Sequence, residues 1–285
     1  METHVVSPRG KEVIIGDNRP TVLIGERINP FGKGPIKEGM VTGNMEPIVK
    51  MALRQVEDGA DILIISVAAF GVDENVILPK ATAAIMEAVD VPLCLESRNP
   101  IALETALKLG CGKPIISSVT GEPELLDAIL PLVRDYDTSL EIIASDASGI
   151  PNNAPKRLEV LSNIVERAKE FTIGSERLIA DCIAESSAVN NTAAMLTTET
   201  MQMVKRVLGL NLVLGASNVS FGLPDRPVIN AVFLSLAIDK GLNCAIVNAA
   251  KMKPYITATD LMLGRDPKAR RYTAYYRKMK SAAAH

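Results

Sequence analysis

The stretch Leu214-Gly-Ala-Ser-Asn-Val-Ser-Phe-Gly-Leu-Pro-Asp-Arg226 has the composition of a working site. An apolar run, Asn211-Leu-Val-Leu214, breaks off into small and polar residues. It delivers Ser217 and Asn218 to a strand end under a Gly/Pro-punctuated loop, before a helix whose first turn holds Pro227. Other apolar runs end in the same way. The chain gives Glu26, Arg27 and Asn29, then Ser66, then Glu96, Ser97 and Asn99, then Ser117, Ser118 and Thr120. Ser145 and Asp146, Asp181, Ser217 and Asn218, and finally Asn248 complete the series. Three carboxylates, Glu96, Asp146 and Asp181, are expected to converge on one cavity. Clustered acids suit Mg²⁺, a sugar, or a cationic or donor-rich heterocycle. Each also has a plainer use: Glu96 could pair with Arg98 or Arg27, and Asp146 lies in the turn sequence Asp-Ala-Ser-Gly.

The residues that are missing narrow the chemistry further. His4 and His285 are the two histidines, both expected in frayed ends, so an internal Ser-His-Asp triad, a His-based metal site and a His general base are excluded. The four cysteines, Cys94, Cys111, Cys182 and Cys244, have no C-x-x-C spacing and read as buried thiols in a reducing compartment. With a net charge of −2, no basic run suggests nucleic acid; Lys268-Ala-Arg-Arg271 reads as a solvated face. No window is apolar enough for a membrane span and no signal-peptide core opens the chain, so the expected location is cytoplasmic.

The elements that must position these residues follow from periodicity. Residues 1–20 read as an N-terminal extension with a short hairpin around Glu12 to Ile15, and residues 21–285 as one domain with a C-terminal helix. Strands are expected at Thr21–Gly25, Asp61–Val67, Pro92–Leu95, Pro114–Ser117, Leu140–Ala144, Arg177–Ala180, Asn211–Gly215 and Cys244–Val247. Helices are expected near 45–58, 75–89, 100–109, 122–134, 156–171, 198–207 and 227–240, with a last helical region from Thr257 interrupted at Pro267. Thr198 and Glu199 read as the opening of the sixth helix, and Gly110 and Gly241 as C-caps. Eight βα units about 30 residues apart suit a closed (β/α)₈ TIM barrel in the α/β class. No G-x-G-x-x-G turn follows the first strand, as a dinucleotide-binding open sheet would require.

With strand ends as the frame, the stretch Gly215 to Pro227 with Ile229-Asn230 resembles the pterin-binding methyltransferases. These share a dihydropteroate-synthase-like barrel and move a methyl group between tetrahydrofolate and a corrinoid protein. Ile24-Gly-Glu-Arg-Ile-Asn29, Cys94-Leu-Glu-Ser97, Gly149-Ile-Pro151 and Ile179-Ala-Asp181 are similar to the family in the same order, over roughly residues 20–265. The resemblance implies that Asp181 accepts the exocyclic amine and ring N–H of the pterin. It places Asn218 at the methyl-bearing N5, with Glu96, Ser117, Asp146, Ser217, Arg226 and Asn248 around the ring. Glu96 stands where the family usually has Asp, Ser117 where corrinoid methyltransferases often have Asn, and Ser66 where an Asp-Leu-Asn motif is common.

The resemblance further implies tetrahydrofolate or methyltetrahydrofolate as substrate and cobalamin carried by a separate corrinoid protein, since the chain lacks a D-x-H-x-x-G loop. No metal is bound directly, and a homodimer is expected. The departures favour a demethylase system in which tetrahydrofolate accepts the methyl group. Transfer in the opposite direction, a dihydropteroate synthase and a non-catalytic folate-binding protein are the alternatives. A dihydropteroate synthase would want Lys after the seventh strand and a basic Arg/His motif after the eighth.

Overall fold

The computed structural model describes residues 1–31 and 34–283; His285 lies outside the described residues. Eight parallel strands close into a barrel: β3 (Val22–Ile28), β4 (Ile62–Ser66), β5 (Leu93–Glu96), β6 (Ile115–Val119), β7 (Ser139–Ile143), β8 (Leu178–Asp181), β9 (Asn211–Leu214) and β10 (Cys244–Val247). The last strand pairs with the first, Cys244 opposite Val22 and Val247 opposite Gly25. The expected (β/α)₈ barrel is therefore present, and all eight expected strands form it. Strands covered on both faces read as unbroken apolar runs, and for that reason they were visible in sequence.

Alternation along each strand divides the core in two. One set, including Leu23, Leu63, Leu95, Ile116, Leu140 and Leu212, faces the helices. The other, including Ile24, Ile64, Cys94, Ile115, Ile179, Val213 and Cys244, fills the barrel interior. Following the inward set upward along the strands gives Glu26, Ser66, Glu96, Ser117, Glu141 and Asp181. The pleat thus presents this polar set towards one end of the barrel.

The other end is closed by the first residues of the chain. β1 (Glu2–Val6) and β2 (Glu12–Gly16) form an antiparallel hairpin whose Val5 and Ile15 are fully buried within the interior cluster. Asn211 donates to Thr3 Oγ1 (3.0 Å) and to the Ile15 carbonyl (3.1 Å), and Val6 and Lys113 exchange both backbone hydrogen bonds. The expected hairpin is longer than sequence indicated, and His4 is not frayed: it lies in β1 with Nδ1 at 2.7 Å from Glu12 Oε1.

The helices are α1 (Pro35–Thr42), α2 (Glu46–Glu57), α3 (Glu74–Ala88), α4 (Pro100–Leu107), α5 (Pro123–Asp135), α6 (Ala154–Glu170), α7 (Ala193–Val207), α8 (Arg226–Asp239), α9 (Ala249–Met262) and α10 (Arg270–Ala283). α1 has no counterpart among the expected helices, and α7 and α9 begin well before their expected starts. Thr198 does not open α7; it lies inside the helix, its hydroxyl bonded back to the Ala194 and Met195 carbonyls, a use of Thr that competes with capping. α9 begins directly after Asn248, eight residues before the expected start at Thr257, and runs through Pro254. The Thr257 hydroxyl donates to the Lys253 and Pro254 carbonyls there. Gly241 has φ +103° and follows α8, and Leu242 N–H returns to the Ala237 carbonyl, as a C-cap requires. Asp260 fastens this last region to the barrel by accepting from Thr21 N–H (2.9 Å) and Thr21 Oγ1 (2.7 Å).

Candidate active site

Register places the mouth residues side by side. Glu96 is paired with Ser66 on one flank and Ser117 on the other, while Asp181 is paired with Ile143 and Val213. Glu96 takes a hydrogen bond from the Ser66 hydroxyl, and burial raises its pKa. Glu96 makes no ion pair with Arg98, which reaches Glu122 at 2.7 Å instead. Glu96 is left as an acceptor at the base of the mouth.

Asp181 is fixed from several directions. Ile183 N–H donates to its Oδ1 at 2.6 Å, which the chain achieves by placing Ile183 at φ +62°, an unfavourable region for a β-branched residue. Gly215 N–H also bonds to the Asp181 carboxylate. Behind this loop, the fully buried Arg157 of α6 donates to the Cys182 carbonyl (2.9 Å), the Ile183 carbonyl (3.1 Å) and the Pro151 carbonyl (2.9 Å), and it pairs with Glu185. One guanidinium therefore staples the loop after β7 to the loop after β8.

Below these acids lies one that the strand-end reading missed. Glu141, in the middle of β7, is 4% exposed and faces inward, in hydrogen-bond contact with Ser117 and Asp181. Burial first, then the charge of Asp181, pushes its pKa up to about 8. Burial also raises Asp181, to about 6, against the opposing pull of the Ile183 and Gly215 N–H groups. With both groups raised, the pair shares one proton at neutral pH. The signal for Glu141 was a lone carboxylate interrupting the apolar run Leu140-Glu-Ile-Ile143 of a strand covered on both faces.

The opposite rim has a different character. Asn218 sits in a 3₁₀ turn (Ala216–Ser220) directly after β9 and is exposed. Its carboxamide lies over Gly215, where an added Cβ would stand 3.1 Å from Nδ2, so the same glycine touches Asn218 and bonds to Asp181. Asn248 begins α9 without spending its side chain on the cap. Ser217 donates to Glu26 Oε1 (3.2 Å), and Glu26, whose pKa burial raises, also accepts from Asn248 N–H. Glu26 is thus a second mouth carboxylate outside the expected site set.

Two expected members have their polar groups engaged within their own loops. Arg226 donates to the Ser217 carbonyl (2.8 Å) and Ser220 Oγ (3.0 Å), and stacks on Phe221 at 5.0 Å, so it braces the loop that carries Asn218. Asp146 accepts from Ser148 N–H (2.8 Å) and Ser148 Oγ (2.6 Å), closing its own turn. Among the expected residues, Glu96, Ser117 and Asp181 form one wall, and Ser217, Asn218 and Asn248 the other. A flat, donor-rich ring held at one edge and presented to an amide at the other suits this arrangement.

Comparison with known proteins agrees with that chemistry. A family model described as pterin binding enzyme matches residues 25–248. A methylcorrinoid:tetrahydrofolate methyltransferase of Eubacterium limosum is 31% identical over 266 residues, covering 91% of this chain and 97% of that protein. Methionine synthase of Mycobacterium tuberculosis is 27% identical over 246 residues, which is 82% of this chain and 21% of that much longer protein. Among solved structures, Xanthomonas albilineans dihydropteroate synthase with 4-aminobenzoic acid superposes with a TM-score of 0.70 at 18% identity, covering 92% of this chain and 99% of that one. The Yersinia pestis dihydropteroate synthase gives 0.69 at 14% identity, covering 93% and 100%. At those identities the two structures speak for the barrel alone.

Proposed function

The chain belongs to the pterin-binding enzyme family, and from that premise we propose that it is a methyltransferase moving a methyl group between a corrinoid protein and N5 of tetrahydrofolate. The observation that carries the reading is the pairing of an anchored carboxylate, Asp181, with the exposed carboxamide of Asn218 across one glycine. Asp181 accepts the two adjacent donors of the pterin, and Glu96 and Ser117 supply further polar contacts on that wall. The ring is thereby oriented with N5 towards Asn218.

A methyl group leaves N5 readily only when that nitrogen is protonated or strongly hydrogen-bonded, and in the other direction the free amine attacks and then loses a proton. A carboxamide can present either its oxygen or its NH₂ and so serve both states. The cobalt of the partner supplies or takes up the methyl group, so the barrel needs no nucleophile of its own. Arg226, through the Ser217 carbonyl, keeps the Asn218 turn in place. The polar substitutes at Ser66, Glu96 and Ser117 favour formation of methyltetrahydrofolate in a demethylation pathway. A dihydropteroate synthase would carry Lys and a basic motif where Ser217, Asn218 and Asn248 stand.

Four free, buried cysteines suit a reducing cytoplasm, and no helix among the described residues is long and apolar enough to cross a membrane. Val228, Val232 and Leu236, successive at four-residue spacing and each more than half exposed on α8, support a homodimer through that face. Sedimentation of Val232→Asp should show the monomer if they form the contact. The function itself is tested by mixing the protein with methylcobalamin and tetrahydrofolate and following the cobalt spectrum in both directions. Absence of tetrahydrofolate binding in a calorimetric titration would overturn the assignment.

A further inference from the structure

A second cavity, of about 560 Å³, adjoins the mouth between the segment after β3 and the start of α2. It is lined by Arg27, Lys37, Lys50 and Arg54 against a single acid, Glu46. On a chain of net charge −2 that is a concentrated positive site. Glu46 is taken by Lys50 (2.6 Å), and Arg54 has only a loose contact with Asp58 at 3.9 Å. Among the described residues, Arg27 and Lys37 make no salt bridge. Phe31 and Met51 give the cavity an apolar wall, with Phe31 83% exposed. The cavity and the mouth share one piece of chain: Arg27 follows Glu26, and the Asn29 carboxamide donates back to the Glu26 carbonyl.

Its place around the barrel decides what it can receive. If the donor edge of the pterin rests on β5, β7 and β8, the far edge of the ring points towards β9, β10 and β3, which follow in order around the closed sheet. That far edge carries N5 and, beside it, the carbon bearing the p-aminobenzoyl-glutamate side chain. The side chain therefore leaves the ring on the side where this cavity opens. An aromatic ring followed by carboxylates matches an apolar wall followed by cations.

Resting on the methyltransferase reading, we infer that the cavity formed by Arg27, Lys37, Lys50 and Arg54 binds the glutamyl tail of the folate, and that it selects folates extended by γ-linked glutamates. Each added glutamate contributes one carboxylate, and the three cations that Glu46 does not take, Arg27, Lys37 and the loosely held Arg54, accommodate more than the two carboxylates of the monoglutamate. Attraction between partly exposed charges is modest for each pair and screened by salt. The expected gain is about tenfold in affinity from monoglutamate to triglutamate at low ionic strength, since a few pairs of this kind together supply that much.

The test is calorimetric titration of the full chain with tetrahydrofolate mono- and triglutamate, at low and high salt, in the native protein and in K37Q/R54Q and K37R/R54K variants. The inference expects a triglutamate preference that shrinks with salt, collapses in the Gln variant and survives in the charge-keeping one. Equal binding of both folates by the native protein overturns the inference and leaves the methyltransferase reading standing. Binding of neither folate overturns both. A preference that persists in the Gln variant removes it from this cavity. If the Gln variant instead raises only the KM for the corrinoid protein, the cavity serves that partner and the inference falls.

Discussion

The two walls of the mouth are built on opposite plans. On the side of β5, β7 and β8, every carboxylate is buried or hydrogen-bonded, and Asp181 is held by two backbone N–H groups with Arg157 behind them. On the side of β9 and β10, the amides of Asn218 and Asn248 are left unspent by the fold. A rigid acceptor fixes where a ring lies; an amide the fold leaves unbonded can turn to follow a nitrogen that changes its protonation during the reaction. Under the proposed function, holding and turning over fall to different strands, and substitutions on the two walls should fail in different ways.

The largest effect is expected on the holding wall. Asp181→Asn keeps the volume but replaces a two-acceptor carboxylate with an amide that presents one acceptor and two donors, and pterin affinity should fall about 100- to 1,000-fold by titration calorimetry. In the native protein the same acceptor is lost by protonation, so affinity should decline as the pH is lowered through about 6. Next comes the turning wall. Asn218→Ala should lower the methyl-transfer rate about 100-fold in single-turnover cobalt spectroscopy while moving the pterin Kd by no more than about threefold. Unchanged transfer would take Asn218 out of the mechanism, and equal losses in binding and rate would erase the distinction between the walls.

The smallest effect concerns the proton inside the holding wall. Glu141 is raised in the folded protein, so its proton contributes stability in full below its ordinary value of about 4.5, and that contribution is lost as pH climbs to about 8. Glu141→Gln has no such proton to lose. Relative to the native protein it should gain about 3 kcal/mol in unfolding free energy between pH 6 and pH 9, read by denaturant titration at each pH. A parallel pH profile for the two proteins would mean that Glu141 is not held neutral in the native fold.

Which of these features could be seen in the residue order depends on how each is encoded. The strands of the barrel were legible because burial on two faces writes itself as an apolar run, and Asp181 and Asn218 because they stand where such runs stop. Glu141 escaped for the converse reason: it stands inside a run, where a reading of endings does not look. Asp146 shows the limit of adjacency. It ends a run as Asp181 does, but the Ala-Ser-Gly that follows lets its carboxylate close a local turn, and the next two residues rather than the strand decide its partners. Glu26 differs again, since its bond with Ser217 crosses from the end of one strand to the loop of another and leaves no local pattern. The cationic cavity likewise draws on the segment after β3 and on α2, with Arg27 and Arg54 far apart in the chain.

The hairpin at the start of the chain carries a consequence for how the molecule is made. Its partners are Lys113 and Asn211, and the strand that follows it is closed by β10 and fastened by Asp260. Residues 2–16 are therefore made before the strands they pack on, and are among the last of the barrel to find their places. Until β9 and β10 have been synthesised, Val5 and Ile15 have no complete interior to enter, and the growing chain carries an unsatisfied apolar hairpin ahead of the unfinished barrel. Assembly of the two-walled mouth thus waits on an event at the opposite end of the barrel, late in translation.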